Sequence, residues 1–287
     1  MFCGILLYIN LALGLRGGGQ ICSTEATKDH NPHPEFSGVG MAELRFGAFG
    51  TVANNVDLGF NAGVGAGYGG MGVRRTSKNG FITTDYLGNM IVYETTAEYK
   101  LKEDFVRLDL SLFFSLKAKG FVMNIGPRFV MPFATSSSLT IEEATILARY
   151  ADYAVTLNNE KITGVLPTPY RQQMDAVLPK YHLVMALEAG YEWKIEDNAV
   201  GLQAFGDFGV WNSGRKVPDA ELLEIGPITA GEDPSAKVTV NTDHLSSFYL
   251  LHSFGLRAYY AFCFGQNRGK HSPSQDTNQH KNRYLWY

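Results

Sequence analysis

The sequence predicts an all-β protein: an eight-stranded antiparallel up-and-down transmembrane β-barrel with long loops at one end. Three observations carry that expectation. A long β-hairpin lies between Tyr181 and Trp211, its alternation of apolar and polar residues recurs along the chain, and the connections between such runs alternate long and short.

In the hairpin, Tyr181, Leu183, Met185, Leu187, Ala189, Tyr191, Trp193 and Ile195 fall on one side. His182, Val184, Ala186, Glu188, Gly190, Glu192 and Lys194 fall on the other. A period of two means an extended strand, because successive side chains leave opposite faces. Val200, Leu202, Ala204, Phe208 and Val210 repeat the pattern against Gly201, Gln203, Asp207 and Gly209, and Glu196, Asp197 and Asn198 turn the chain between the two runs. Both runs exceed the ~5–6 residues usual in a soluble strand. A continuous apolar face backed by a polar, glycine-rich one suits a barrel whose outside meets lipid.

Composition agrees. The chain has 287 residues and a net charge of −3, so no basic footprint points to nucleic acid. No apolar run approaches the ~18 residues of a membrane helix, but barrel strands hide their hydrophobicity in alternation. The cysteines Cys3, Cys22 and Cys263 are odd in number and lack C-x-x-C spacing. Neither a disulfide framework nor a metal site is expected, and no cofactor.

From the N-terminus, Met1 to Gly17 alternates as a strand, with Ile5, Leu7, Ile9, Leu11, Leu13 and Leu15 outward and Tyr8, Asn10, Ala12, Gly14 and Arg16 inward. It lacks both the early Lys or Arg and the small-x-small site of a secretory signal, so a true signal peptide is expected to be missing from the chain. Gln20 to Ser37 reads as a polar loop. Val39 to Gly50 is the second strand, with Ala42, Leu44, Phe46 and Ala48 outward and Glu43, Arg45 and Gly47 inward. After a turn at Ala53 to Asn55, Val56 to Gly70 forms the third, with an inward row of Gly59, Gly63, Gly65, Gly67 and Gly69. That row is expected to make room for long side chains from opposite strands. Gly65 to Gly70 also satisfies G-x-G-x-x-G, but the following MGVRRTSKNG has no helical period, so a nucleotide site is rejected.

Val73 to Asp104 reads as a long polar loop. Phe105 to Lys117 and Phe121 to Phe133 form the next hairpin, with Pro127 expected to mark a bulge or kink. Ala134 to Lys180 is the longest connection; Thr140 and Glu143 form a capping box ahead of Ile141, Ala144, Ile146, Leu147 and Ala148, which predicts a helix over the barrel mouth. Asn212 to Ser246 is a further loop, and Ser247 to Phe264 is the last strand. The barrel is therefore expected over 1–264, and 265–287 as a polar, disordered tail. Tight turns at one end and long loops at the other are the parity of an outer-membrane barrel, periplasmic and external respectively.

The run LVMALEAGYEWKIEDNAVGLQAFGDFGVWN resembles the OmpA-like outer-membrane β-barrel family of Gram-negative bacteria. The closing segment from Ser253 to Phe262, polar–x–Gly followed by alternating aromatics, is similar to the C-terminal assembly signal of such barrels. The resemblance implies a monomer in the cell outer membrane, in contact with outer-membrane lipid. The tail is too short for the peptidoglycan-binding domain that many of those proteins carry, so anchoring to the cell wall is not implied.

Within a barrel of ~8 strands the interior is just wide enough for side chains to fill. The inward charges are Arg16, Arg45, Arg107, Arg128 and Arg257 against Glu43, Asp57, Asp109, Glu188, Glu192 and Asp207. Confined charges must pair, which predicts a salt-bridged plug and a structural or surface-interaction protein whose external loops contact extracellular protein or glycan. A small gated, porin-like pore is the alternative. A rim hydrolase built from His182, Asp243, His244, Ser246 and Ser247 is a third reading, with no nucleophile motif to support it, so no enzyme is expected. A soluble ligand-binding barrel would reverse the faces. Phe121, Tyr191, Trp193, Tyr260 and Phe262 are expected as the periplasmic aromatic girdle, and Tyr68, Phe105, Phe133 and Tyr181 as the external one. Cys3 and Cys263 take opposite phases on paired strands, which predicts that they are not bridged.

Overall fold

The structure is a computed structural model that describes residues 7–24, 33–53, 55–84, 88, 90–150, 155–157, 169–175, 177–214, 223–225, 238–240 and 249–264. Its strands are β1 (Leu7–Thr24), β2 (His33–Glu35), β3 (Ser37–Ala53), β4 (Val56–Thr84), β5 (Met90–Ala118), β6 (Phe121–Tyr150) and β7 (Val155–Leu157). They continue as β8 (Tyr170–Gln173), β9 (His182–Ile195), β10 (Asn198–Asn212), β11 (Leu223–Ile225), β12 (Val238–Val240) and β13 (Tyr249–Phe264). Eight of them close a ring in the order β1, β3, β4, β5, β6, β9, β10, β13, each antiparallel to the next and β13 returning to β1. This is the up-and-down barrel the alternation predicts.

The N-terminal run is a wall strand: Leu11 lies opposite Phe262, Leu13 opposite Tyr260 and Leu15 opposite Ala258. Faces follow parity. Leu13, Leu15, Phe60, Leu112, Leu187 and Leu256 are exposed on the outside, while Asn10, Arg16, Arg45, Asp109, Glu188 and Arg257 are buried inside. That is a soluble barrel turned inside out, and it places the apolar face where a bilayer would cover it. From Phe121 to Phe133, at ~3.4 Å per residue and a ~40° tilt, the wall rises about 30 Å, enough for a hydrocarbon core.

Three connections at one end are tight, with left-handed backbone at Asn55, Lys119, Gly120 and Glu196. The other end corrects the sequence reading. β4, β5 and β6 run 29, 29 and 30 residues, so they project well beyond the rest of the ring. The expected loop from Val73 to Asp104 is a continuous hairpin, paired from Gly70–Asp104 to Thr84–Met90. The expected helix after Thr140 is the far half of β6, laddered to β5. Leu139 and Ile141 are fully buried at a spacing of two, and burying them against Leu101 and Tyr99 outweighs a local capping box. Likewise the expected loop from Gln20 continues β1 to Thr24 and contains β2, which pairs with β4.

Pro127 produces no bulge. The β5–β6 ladder omits the pairs of Leu112 and Phe113 with Pro127 and Gly126, and the register is the same on both sides. Bulges fall instead near Ala53, in β6 beside Asp104 and Glu98, and near Trp211. The inward glycines of β4 do make room, but for the neighbouring strands rather than opposite ones. A Cβ at Gly63 would stand 2.8 Å from Arg45 Cγ, and at Gly69 2.8 Å from the Phe105 ring. Both Arg45 and Phe105 are the cross-strand partners of those glycines. Cys263 is a free thiol; Cys3, residues 243–247 and the tail from 265 lie outside the described residues.

Candidate functional site: the ion-paired lumen

The middle of the lumen is built by the inward positions of β1, β3, β5, β6, β9, β10 and β13. Glu188 of β9 is fully buried and accepts both Nη1 and Nη2 of Arg45 at 2.6 Å, Nη2 of Arg128 at 3.1 Å and Nδ2 of Asn124 at 3.0 Å. Glu43 accepts from Arg45 at 3.0 Å and from Nε of Arg257. Arg257 also donates through Nη1 to Gln203 Oε1 at 2.8 Å. Arg107 makes a two-pronged pair with Asp109 at 2.9 and 2.7 Å, and Arg128 reaches the same carboxylate at 3.5 Å. Asp207 holds Arg16 at 3.1 Å and Ser253 at 2.8 Å. Glu192 takes Lys117 at 2.9 Å and the Tyr259 hydroxyl at 2.8 Å.

All nine residues expected to form the charge cluster thus point inward and are buried: Glu43, Arg45, Arg107, Asp109, Arg128, Glu188, Glu192, Asp207 and Arg257. They form one centre and flanking pairs rather than a line of free charge. The lumen is also more aromatic than the sequence reading allowed. Arg45 stacks over Phe113 at 4.5 Å, Arg16 over Phe205 at 3.7 Å and Lys117 over Phe49 at 4.5 Å. Phe49, Phe113 and Phe205 sit on the inward parity of strands already recognised, which is the signal that could have found them.

Above this layer, towards the projecting sheet, the interior becomes apolar. Met71, Val73, Tyr99, Leu101, Phe105, Leu139, Ile141, Tyr249 and Leu251 pack with Val177 and Leu178. These last two lie on a segment folded across the mouth, anchored where β8 pairs with β6 and where Met174 N–H donates to Ser137 O at 3.0 Å. Beneath them the buried Glu103 carboxylate accepts the N–H groups of Val177 at 2.7 Å and Leu178 at 3.3 Å. Burial pushes that carboxyl above its ordinary value, with the two backbone N–H bonds and Ser137 pulling against the rise. His182 is fully buried, its Nε2 bonded to Pro179 O at 3.0 Å, so it supports the mouth segment.

Of the aromatic girdles, Phe121, Tyr191, Trp193 and Tyr260 are exposed on the outside near the tight turns, and Phe262 is half-buried edge-on against Tyr260 at 4.9 Å. Tyr68, Phe133 and Tyr181 are exposed near the other rim. Phe105 is corrected: it shares the inward parity of Arg107 and is 0% exposed, within the apolar layer. At the tight-turn end a vestibule of about 420 Å³ opens, lined by Tyr8, Asp57, Lys117, Glu192 and Cys263 among others. Further in, among Asn10, Ala12, Arg45 and Arg257, the free space falls to about 20 Å³.

No protein-family description and no curated protein matches the chain. Among solved structures, it is similar to the translocator domain of the autotransporter NalP from Neisseria meningitidis, at 10% identity and a TM-score of 0.21, over 92% of this chain and 90% of that one. It is similar to the outer-membrane protease OmpT from Escherichia coli at 9% identity and a TM-score of 0.24, over 92% of this chain and 98% of that one. The closed ring, apolar exterior and polar interior of the chain itself place it in an outer membrane, the setting of closed strand barrels.

Proposed function

We propose that the chain is a non-conducting, monomeric outer-membrane barrel, OmpA-like in construction, that carries its projecting strands and loops into contact with extracellular protein or glycan. One observation supports this most: the lumen is filled twice over, by the network centred on Glu188 and by the apolar layer under Val177 and Leu178. An ion crossing it would have to displace a bidentate buried pair and a packed apolar core in series. Both steps are costly, because an unpaired charge away from water is expensive. What remains for such a barrel is a rigid anchor beneath a projecting sheet, with β4, β5 and β6 as the longest elements.

The test is planar-bilayer conductance of the refolded chain, with and without Glu188→Ala. The expected result is no discrete openings in the unsubstituted protein. Openings that change amplitude in Glu188→Ala would replace this reading with the small gated pore. Hydrolysis of peptide or lipid substrates that disappears in His182→Ala, with the barrel still folded, would move the rim-enzyme reading up.

A further inference from the structure

The charges at the centre of the lumen do not balance locally. Arg16 has Asp207, Arg107 has Asp109 and Lys117 has Glu192, each at hydrogen-bond distance. The three guanidinium groups left, Arg45, Arg128 and Arg257, share Glu43 and Glu188, with Arg128 leaning outward to Asp109 at 3.5 Å and Asp207 at 3.7 Å. The deficit falls on Arg257. It is 2% exposed, its Nε is satisfied by Glu43 and its Nη1 by Gln203, and its Nη2 has no partner among the described residues. Nε of Arg45 and Oδ1 of Asn10, both buried, are also unpartnered there.

These three residues line the same space. The cavity of about 20 Å³ is bounded by Asn10, Ala12, Arg45, Arg257, Asn124 and Tyr259, with Lys117 and Glu192 at its floor. It exceeds the ~10–15 Å³ that one water needs, which leaves room for an occupant slightly larger than water. Lys117, Val122 and Glu192 also line the vestibule, so these three side chains separate the cavity from the tight-turn end. Glu192 does not reserve the cavity for cations, because Lys117 and the Tyr259 hydroxyl already hold its carboxylate. The Asn10 side chain can turn its NH₂ towards the space, giving a third donor beside two guanidinium N–H groups.

We propose that this cavity binds a single small monovalent anion, a halide, which supplies the acceptor that Arg257 Nη2 lacks and adds to the one carboxylate, Glu43, that Arg257 shares with Arg45. A buried guanidinium N–H without an acceptor is expensive, and an anion satisfies both the hydrogen bond and the charge. The occupant is limited to the size of one or two waters, which excludes sulfate and phosphate by volume.

The experiment uses the full refolded chain in detergent micelles. Crystals grown in sodium bromide should give one anomalous peak inside the barrel, bounded by Asn10, Arg45 and Arg257. In solution the unfolding equilibrium constant should fall close to tenfold for each tenfold rise in chloride above half-saturation, and stay level in sulfate of matched ionic strength. Asn10→Asp places a fixed carboxylate at the site and should abolish both the bromide peak and the chloride dependence while the barrel stays folded. Arg257→Gln removes the excess cation and should do the same. A lumen without anomalous signal, or unfolding indifferent to the choice of anion, overturns the proposal.

Discussion

Replacing Glu188 by Gln keeps the volume of the side chain and removes one charge from the centre of the barrel. Glu188 is fully buried and accepts four hydrogen bonds, at 2.6, 2.6, 3.1 and 3.0 Å, from Arg45, Arg128 and Asn124. Gln accepts through one oxygen only, and its NH₂ would face the Arg45 guanidinium. Breaking a buried pair from one side costs about 3–5 kcal/mol, because the abandoned charge stays desolvated. That corresponds to roughly a hundredfold to several-thousandfold in the unfolding equilibrium. Urea unfolding in micelles, followed by the fluorescence of the outward Trp193 and Trp211, reads the change. Combining Glu188→Gln with Arg45→Gln completes a double-mutant cycle, and the coupling should exceed about 2 kcal/mol. A single-variant cost below about 1 kcal/mol with coupling near zero would mean that water reaches the centre, and the sealed lumen would have to be abandoned.

Three further outcomes are expected. Leu110→Arg puts a charge on the lipid face midway along the membrane-crossing part of β5 and should cost about 2–4 kcal/mol in bilayer refolding titrations; a negligible cost would show that this face is not lipid-covered. Gly63→Val drives a branched side chain against Arg45 Cγ and Ser111 Oγ, each already 2.8 Å from a bare Cβ, and should lose about 1–3 kcal/mol in the same titration. Unchanged stability there would refute the pairing of β4 glycines with β3 side chains. Because burial raises the Glu103 carboxyl, the folded state binds its proton more tightly than the unfolded chain does. The contribution of Glu103 is therefore full below the ordinary glutamate value and is lost as pH rises through the raised one. Hydrogen-exchange protection of the Val177 and Leu178 amides, corrected for intrinsic rates, should fall over that rise and stay level in Glu103→Gln; protection that grows with pH would contradict it.

The membrane-crossing part of the barrel was legible because each strand there has one purely apolar face. Leu108, Leu110 and Leu112 against Arg107, Asp109 and Ser111 leave no ambiguity of period. The projecting part was not, because both faces of β4 beyond Gly70 carry polar residues: Arg74 and Lys78 outside, Arg75 and Ser77 inside. The buried Tyr99, Leu101, Leu139 and Ile141 kept their spacing of two, but interleaved lysines and threonines hid it, and Thr140 with Glu143 offered a false helix start. Inward pointing could be read residue by residue for the charges. Which carboxylate each arginine takes could not, since that depends on the stagger between strands far apart in the chain. Phe105 shows the limit from the other side: its aromatic character suggested a girdle, while its parity with Arg107 assigned it to the interior.

The β1–β13 seam joins distant parts of the chain; Ser23 and His252, bonded across it, are 229 positions apart. Until β13 is made, β1 presents an unpaired edge bearing Leu11, Leu13 and Leu15, open to mispairing. The run Gly17, Gly18 and Gly19 faces Leu256, Gly255 and Phe254, and offers almost no side chains by which two strands could recognise each other. A slip of one residue would turn every outward leucine of β1 into the lumen. Directly below the glycines, Arg16 lies opposite Arg257, and each reaches away from the seam to a carboxylate on another strand, Asp207 on β10 and Glu43 on β3. The native stagger seats both arginines at once. A join displaced along the seam moves both guanidinium groups relative to those carboxylates, so the interior charges favour the native register where the glycine wall offers little to choose by.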